Sequence, residues 1–182
     1  ECTYEQAMEA FFCGASHVTH MFNAMAGFHH RQPGLMAAAM DAGASVELIC
    51  DGLHVHPAAV RMAHRLYGDR LDMISDSMRC AGLSDGEYTL GGQAVTVRDG
   101  RACLSGTDTL AGSSISLLDG VRNAVAFDIP LADALYAAST APARAAGLDD
   151  VGELRPGLRA DVLVLDRDLA LKTVFVDGVR QI

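Results

Sequence analysis

The chain has 182 residues, half of them hydrophobic and a fifth charged, with a formal net charge of −9. That composition is globular and has ample apolar material for a core, while the acidic balance excludes the basic face that nucleic acid requires. No apolar run is long enough to span a bilayer, and the five scattered cysteines fit reduced, mostly buried thiols in the cytoplasm rather than a disulfide framework. Along the chain, Thr3 with Gln6 predicts a capping box opening a helix through Phe12, with Gly14 as its stop. A strand is expected from Ser16 to Met21, then a polar loop. Pro33-Gly34 opens a helix over Leu35–Ala42 closed by Gly43. Val46–Cys50 reads as a strand, Pro57 to about Leu66 as a helix with Gly68 beyond it, and Leu71–Ser75 as a third strand. Strand alternating with helix is the pattern of a parallel sheet.

After Gly82 the pattern changes. Glu87–Leu90, Gln93–Val97 and Arg101–Leu104 are short, β-prone and separated by Gly91-Gly92 and Asp99-Gly100, which predicts hairpins. Helices are expected at Ser113–Ala126, Leu131–Ser139 and Pro142–Ala146. Strands are expected at Asp161–Leu165, Lys172–Val176 and, after an Asp177-Gly178 turn, Val179–Ile182. The expected organisation is an α/β unit over residues 1–150, part of a barrel with hairpins inserted at about 86–105, and a small β unit over 151–182. Three parallel strands do not close a barrel that needs eight strands and roughly 250 residues. The expectation is therefore the last third of a larger protein.

Three apolar runs end in reactive residues: Thr19-His20-Met21-Phe22-Asn23, Asp51-Gly52-Leu53-His54 and Ser75-Asp76. Barrel enzymes place their chemistry at such strand ends. His20 reads as a zinc or iron ligand or as a hydrogen-bonded strand-end histidine. His17, three residues earlier, points to the opposite strand face and is not expected to join it. Asp76 reads as a proton acceptor and donor or as a turn cap. His54 is placed to donate a hydrogen bond to a substrate, whereas His56, directly before Pro57, reads as a helix-opening residue. Arg31 suits bidentate phosphate binding or open solvent. Leu110-Ala111-Gly112-Ser113-Ser114 permits close approach of a ligand, or its serines cap the next helix.

In order along the chain, Ala15-Ser16-His17-Val18-Thr19-His20-Met21-Phe22-Asn23-Ala24-Met25, His29-His30-Arg31-Gln32-Pro33-Gly34, Asp51-Gly52-Leu53-His54-Val55, Ser75-Asp76 and Thr109-Leu110-Ala111-Gly112-Ser113 resemble the N-acetylglucosamine-6-phosphate deacetylase family of metal-dependent amidohydrolases. The resemblance runs to the end of the chain and implies strands 6–8 of a (β/α)8 TIM-like barrel plus part of a small β-sandwich domain. It implies His20 as a ligand of a divalent metal, zinc or iron, and Asp76 as the catalytic aspartate. Asn23, Ala24, Arg31 and His54 would bind the sugar phosphate, with Leu110, Ala111 and Gly112 near its acetamido group. Asp76 would take a proton from water and return it to the departing amine, releasing acetate and glucosamine 6-phosphate. The family's other metal ligands, a glutamate and a histidine on earlier strands, are expected before Glu1, so these 182 residues are expected to be inactive alone. The resemblance further implies a cytoplasmic homo-oligomer, dimer or larger, with no nucleic-acid or membrane partner. The rival readings are a deacetylase for N-acetylgalactosamine 6-phosphate or another acylamino sugar, and a non-catalytic assembly domain.

Overall fold

The structure is a computed structural model describing residues 1–182. Thr3 and Gln6 form the capping box: the Gln6 N–H donates to Thr3 Oγ1 at 3.2 Å and the Thr3 N–H to Gln6 Oε1 at 2.9 Å, opening helix α1 (Tyr4–Phe12). Strand β1 (His17–Val18), helix α2 (Gly34–Ala42), strand β2 (Ser45–Ile49), helix α3 (Pro57–Tyr67) and strand β3 (Leu71–Ile74) follow. Gly43 ends α2 in the left-handed conformation. At α3, His56 is the N-cap, its Nδ1 accepting the Ala58 N–H at 3.1 Å, and Pro57 fills the first turn.

The three strands form a parallel sheet in the order β1-β2-β3, with His17 opposite Ser45 and Glu47 opposite Asp72. Residues paired across a parallel register share a face. One face carries Val18, Val46, Leu48, Leu71 and Met73, all buried against Ala39 of α2 and Val60, Ala63 and Tyr67 of α3. Val121 and Ala124 of α4 (Leu117–Ala126) and Ala134 and Ala137 of α5 (Leu131–Ala138) complete that core. Each larger aliphatic side chain buried there contributes about 1.5–3 kcal/mol. The short helix α6 (Thr140–Ala145) follows.

The opposite sheet face is polar. His17 Nε2 donates to Glu47 Oε1 at 3.0 Å, and His17 Nδ1 lies 3.5 Å from Asp72 Oδ2. Asp72 is 1% exposed, and neither carboxylate oxygen has a hydrogen-bond partner. Burial pushes its carboxyl up to about 6; His17 opposes that rise and Glu47 adds to it. With the folded value above the unfolded one, the native state holds a proton through the window from roughly pH 4 to 6 that the unfolded chain has lost, so stability falls as pH rises across it. Asp72→Asn removes the cost of charging this carboxyl. Its urea midpoint is expected to match the parent near pH 4 and exceed it at about pH 8. A parent more stable than the variant at pH 8 would refute that sign.

Beyond β3, strands β4 (Gly86–Leu90), β5 (Gln93–Arg98) and β6 (Arg101–Leu104) form an antiparallel meander. Gly91-Gly92 and Asp99-Gly100 make its two-residue turns, all four residues at positive φ, as primed hairpin turns require. Val95, Val97 and Ala102 pack with Met78 and Cys80 in a second small core. Strands β7 (Val162–Leu165), β8 (Leu171–Val176) and β9 (Val179–Arg180) form a third, antiparallel sheet with no fully buried residue. Arg122 of α4 ties it to the first unit, donating from Nη2 to Leu169 O at 2.7 Å. No helix is long and apolar enough to cross a membrane, and all five cysteines are free, but against expectation only Cys50 and Cys80 are buried.

Two expectations are corrected. The first strand stops at Val18 rather than Met21, because His20, Phe22 and Ala24 all take positive φ and reverse the chain. The fourth helix begins at Leu117 rather than Ser113. Ser116 caps it in a box with Asp119, while Ser113 is drawn into a bridge with Ser77.

Candidate active site

Parallel strands deliver their carboxyl ends to one rim, and on this rim lie the segments after β1, β2 and β3. After β1 the chain turns sharply. The Met21 N–H donates to Glu47 O at 2.8 Å, the His20 N–H donates to Glu47 Oε2 at 3.2 Å, and Met21 is fully buried beneath the turn. Asn23 Nδ2 donates to Met21 O at 3.3 Å and His20 O at 3.4 Å, so its amide braces the turn and leaves its oxygen free. His20 Nδ1 is buried without a hydrogen-bond partner.

After β2, Asp51 organises the loop. Its Oδ1 accepts the N–H groups of Leu53 and His54, both at 2.8 Å, and its Oδ2 accepts from His54 Nδ1 at 2.6 Å. Burial alone would raise the Asp51 carboxyl, but the hydrogen bonds from the His54 ring and the two backbone N–H groups hold it below the usual carboxylate range. With Nδ1–H committed to Asp51, the neutral His54 ring offers Nε2 as an acceptor, and only the imidazolium donates there. The loop is anchored from behind, where Asn123 Nδ2 donates to Cys50 O at 2.9 Å. Burial pushes the Cys50 thiol up to about 12, with Asp51 adding to the rise, so it is no nucleophile.

Asp76 follows β3 at φ +47°, a left-handed conformation that aspartate tolerates better than most residues. Its carboxylate is exposed, and its carbonyl accepts the Ser113 N–H at 2.9 Å. Ser113 Oγ donates to Ser75 O, and Ala111 N–H donates to Ala102 O at 3.0 Å. The Leu110-Ala111-Gly112 segment is thereby stitched between the hairpin sheet and the backbone of Ser75 and Asp76. His20 follows β1 and Asp76 follows β3, the two outer strands of the sheet, with β2 between them.

A cleft of about 420 Å³ between α1 and the end of β1 takes in His20, Asn23 and Ala24, but not Arg31, His54, Asp76 or residues 110–112. Arg31 is exposed in its loop, its Nη1 donating to His30 Nε2 at 2.9 Å. The orphaned His20 nitrogen fits one position of a metal's coordination sphere. No three His, Cys, Asp or Glu side chains within the chain converge as a complete set. Sequence reasoning does not single out Asp51 or Glu47. Asp51-Gly52 is a readable turn signal, and Glu47 is the one charged residue within the apolar run of β2.

The rim of this parallel α/β sheet thus carries an unpartnered imidazole nitrogen and an exposed carboxylate, at the strand ends where such folds place their chemistry. The chain belongs to the amidohydrolase family, whose profile matches residues 1–180. It is 41% identical over 97% of its length to N-acetylgalactosamine-6-phosphate deacetylase of Escherichia coli O157:H7, covering 47% of that protein. It is 38% identical over 98% of its length to N-acetylglucosamine-6-phosphate deacetylase of Vibrio furnissii, covering 45% of that one. The structure matches an aspartate-to-alanine variant of N-acetyl-D-glucosamine-6-phosphate deacetylase from Mycobacterium smegmatis, in complex with N-acetyl-D-glucosamine-6-phosphate. That match has a TM-score of 0.93 and 42% identity, covering 99% of this chain and 49% of the other. The chain thus spans about half the length of these relatives.

Proposed function

We propose that the chain forms strands 6–8 of a (β/α)8 amidohydrolase barrel and part of its small β domain, in an enzyme that converts N-acetylglucosamine 6-phosphate to glucosamine 6-phosphate and acetate. The observation that carries this reading is the shared rim: an unpartnered His20 nitrogen and the free Asp76 carboxylate, with Ser113, directly after Leu110–Gly112, donating its N–H to the Asp76 carbonyl. His20 is one ligand of a divalent metal, zinc or iron, which when bound polarises the amide carbonyl and acidifies water. Asp76 Oδ accepts the proton of the attacking water and returns it to the sugar nitrogen as the C–N bond breaks. His54, its ring fixed by Asp51, and Asn23 hydrogen-bond the sugar. Arg31 exchanges its contact with His30 for the phosphate, a stronger charge-assisted partner. Ala24 and residues 110–112 shape the pocket.

The relative named for N-acetylgalactosamine 6-phosphate favours a second reading, the same chemistry on the 4-epimer. Acetate release by the enzyme containing this chain, assayed in parallel on both sugar phosphates, separates the two. The higher kcat/KM is expected on N-acetylglucosamine 6-phosphate, with loss of activity when a chelator strips the metal. A preference for the galacto compound selects the second reading, and turnover of neither substrate overturns both.

A further inference from the structure

We propose that Glu47 is a positioning residue that fixes the direction in which His20 presents its imidazole, an inference that rests on His20 being a metal ligand. Glu47 lies between Val46 and Leu48, both fully buried, yet its side chain faces away from the apolar core. A half-buried carboxylate in the middle of a strand is costly unless it is well bonded. This one is bonded to a single purpose. Oε2 accepts the His20 N–H at 3.2 Å, and the backbone carbonyl of the same residue accepts the Met21 N–H at 2.8 Å. The two successive N–H groups of the chain reversal therefore both end on Glu47. The other oxygen, Oε1, is held by His17 Nε2 at 3.0 Å, which keeps the carboxylate from swinging away.

The clamp matters because His20 is at φ +32°. A non-glycine residue there is strained and persists only where its surroundings over-determine it. Thr19, His20, Met21 and Phe22 would otherwise continue β1 as an extended strand. In an extended strand, successive side chains alternate faces, so the imidazole would leave the rim position that the turn gives it. Glu47 would act on the metal only through His20, since its side chain bonds to His17 and to the His20 N–H.

The test is zinc release to a chromophoric chelator from the zinc-loaded enzyme containing this chain, with the d–d spectrum of the cobalt-substituted form as a second readout. Glu47→Ala is expected to weaken zinc retention about 10–100-fold, the usual effect of losing a group that orients a metal ligand, and to shift the cobalt spectrum. Glu47→Gln keeps an oxygen for the His20 N–H and is expected to restore most of both. Glu47→Asp keeps the charge but withdraws the oxygen by a methylene, so it is expected to resemble Ala; it stands in for Ala should that variant not fold. Wild-type retention in Glu47→Ala or Glu47→Asp, alongside loss in His20→Ala, overturns the positioning role alone. Equal impairment in Gln and Ala overturns it too, since charge and not the clamp would then matter. Wild-type retention in His20→Ala overturns the ligand reading itself.

Discussion

Replacing Asp76 by Asn in the intact enzyme is expected to lower kcat about 10²–10⁴-fold while leaving KM for the sugar phosphate within a few-fold of wild type. Asparagine keeps the size of the side chain and its place on the rim, and it cannot take a proton at neutral pH. Asp76 is exposed just after β3, and in the proposed reaction its carboxylate is the proton acceptor. Metal retention is expected to be unchanged, because His20 sits two strands away and its turn is held by Glu47, not by Asp76. Steady-state kinetics and metal content measured on the same preparation check both halves. Activity within about threefold of wild type would remove Asp76 from the chemistry and return the non-catalytic assembly reading to favour.

The second large effect is structural. Gly112 is buried at φ +142°, a conformation that residues with a Cβ rarely adopt. A Cβ there would lie 2.8 Å from Met78 Cγ and 3.2 Å from the Asp76 carbonyl oxygen. Met78 is itself buried in the small core under the hairpin sheet, so it has little room to yield. Gly112→Ala is therefore expected to destabilise the chain by roughly 1–3 kcal/mol, and to lower activity as well by displacing the backbone that carries Asp76. Gly27 provides the control, since a Cβ there would meet nothing within 4 Å and its φ lies outside the left-handed region. Gly27→Ala should leave stability within about 0.5 kcal/mol. Urea denaturation of the two variants side by side tests this, and equal stability would mean that residues 110–113 do not pack against Asp76 as described.

The elements most readable from sequence are those whose signals are local. The Thr3–Gln6 box, the His56-Pro57 helix opening, Gly43 and the Gly91-Gly92, Asp99-Gly100 and Asp177-Gly178 turns each act within a few residues, and each does so in the structure. The end of β1 is not local. Thr19 to Phe22 are β-prone, and what halts the strand is Glu47, far along the chain and brought near only by sheet register. Ser113 misleads for the same reason: it sits before a helix like a cap, but Ser77 pairs with it across a long separation, and Ser116 does the capping.

The candidate site divides along the same line. His20, His54 and Asp76 are visible as reactive residues at the ends of apolar runs. The residues that hold them, Asp51 for His54 and Glu47 for His20, differ in legibility. Asp51 announces itself through the Asp-Gly turn, whereas the Glu47, His17 and Asp72 group exists only once three strands are aligned. Sequence places His17 on a different face from His20, and the structure spends His17 on Glu47 and Asp72 instead. Arg31 carries the right chemistry for phosphate, and its present partner is His30.

The most direct measurement is the position of the bound metal in crystals of the intact enzyme, located by anomalous scattering. The ion is expected about 2.0–2.1 Å from a nitrogen of His20, with the Asp76 carboxylate facing the same site. An ion bound with His20 outside its coordination shell, or with the Asp76 side chain pointing away from it, would contradict the metal-ligand assignment and the hydrolytic chemistry built on it.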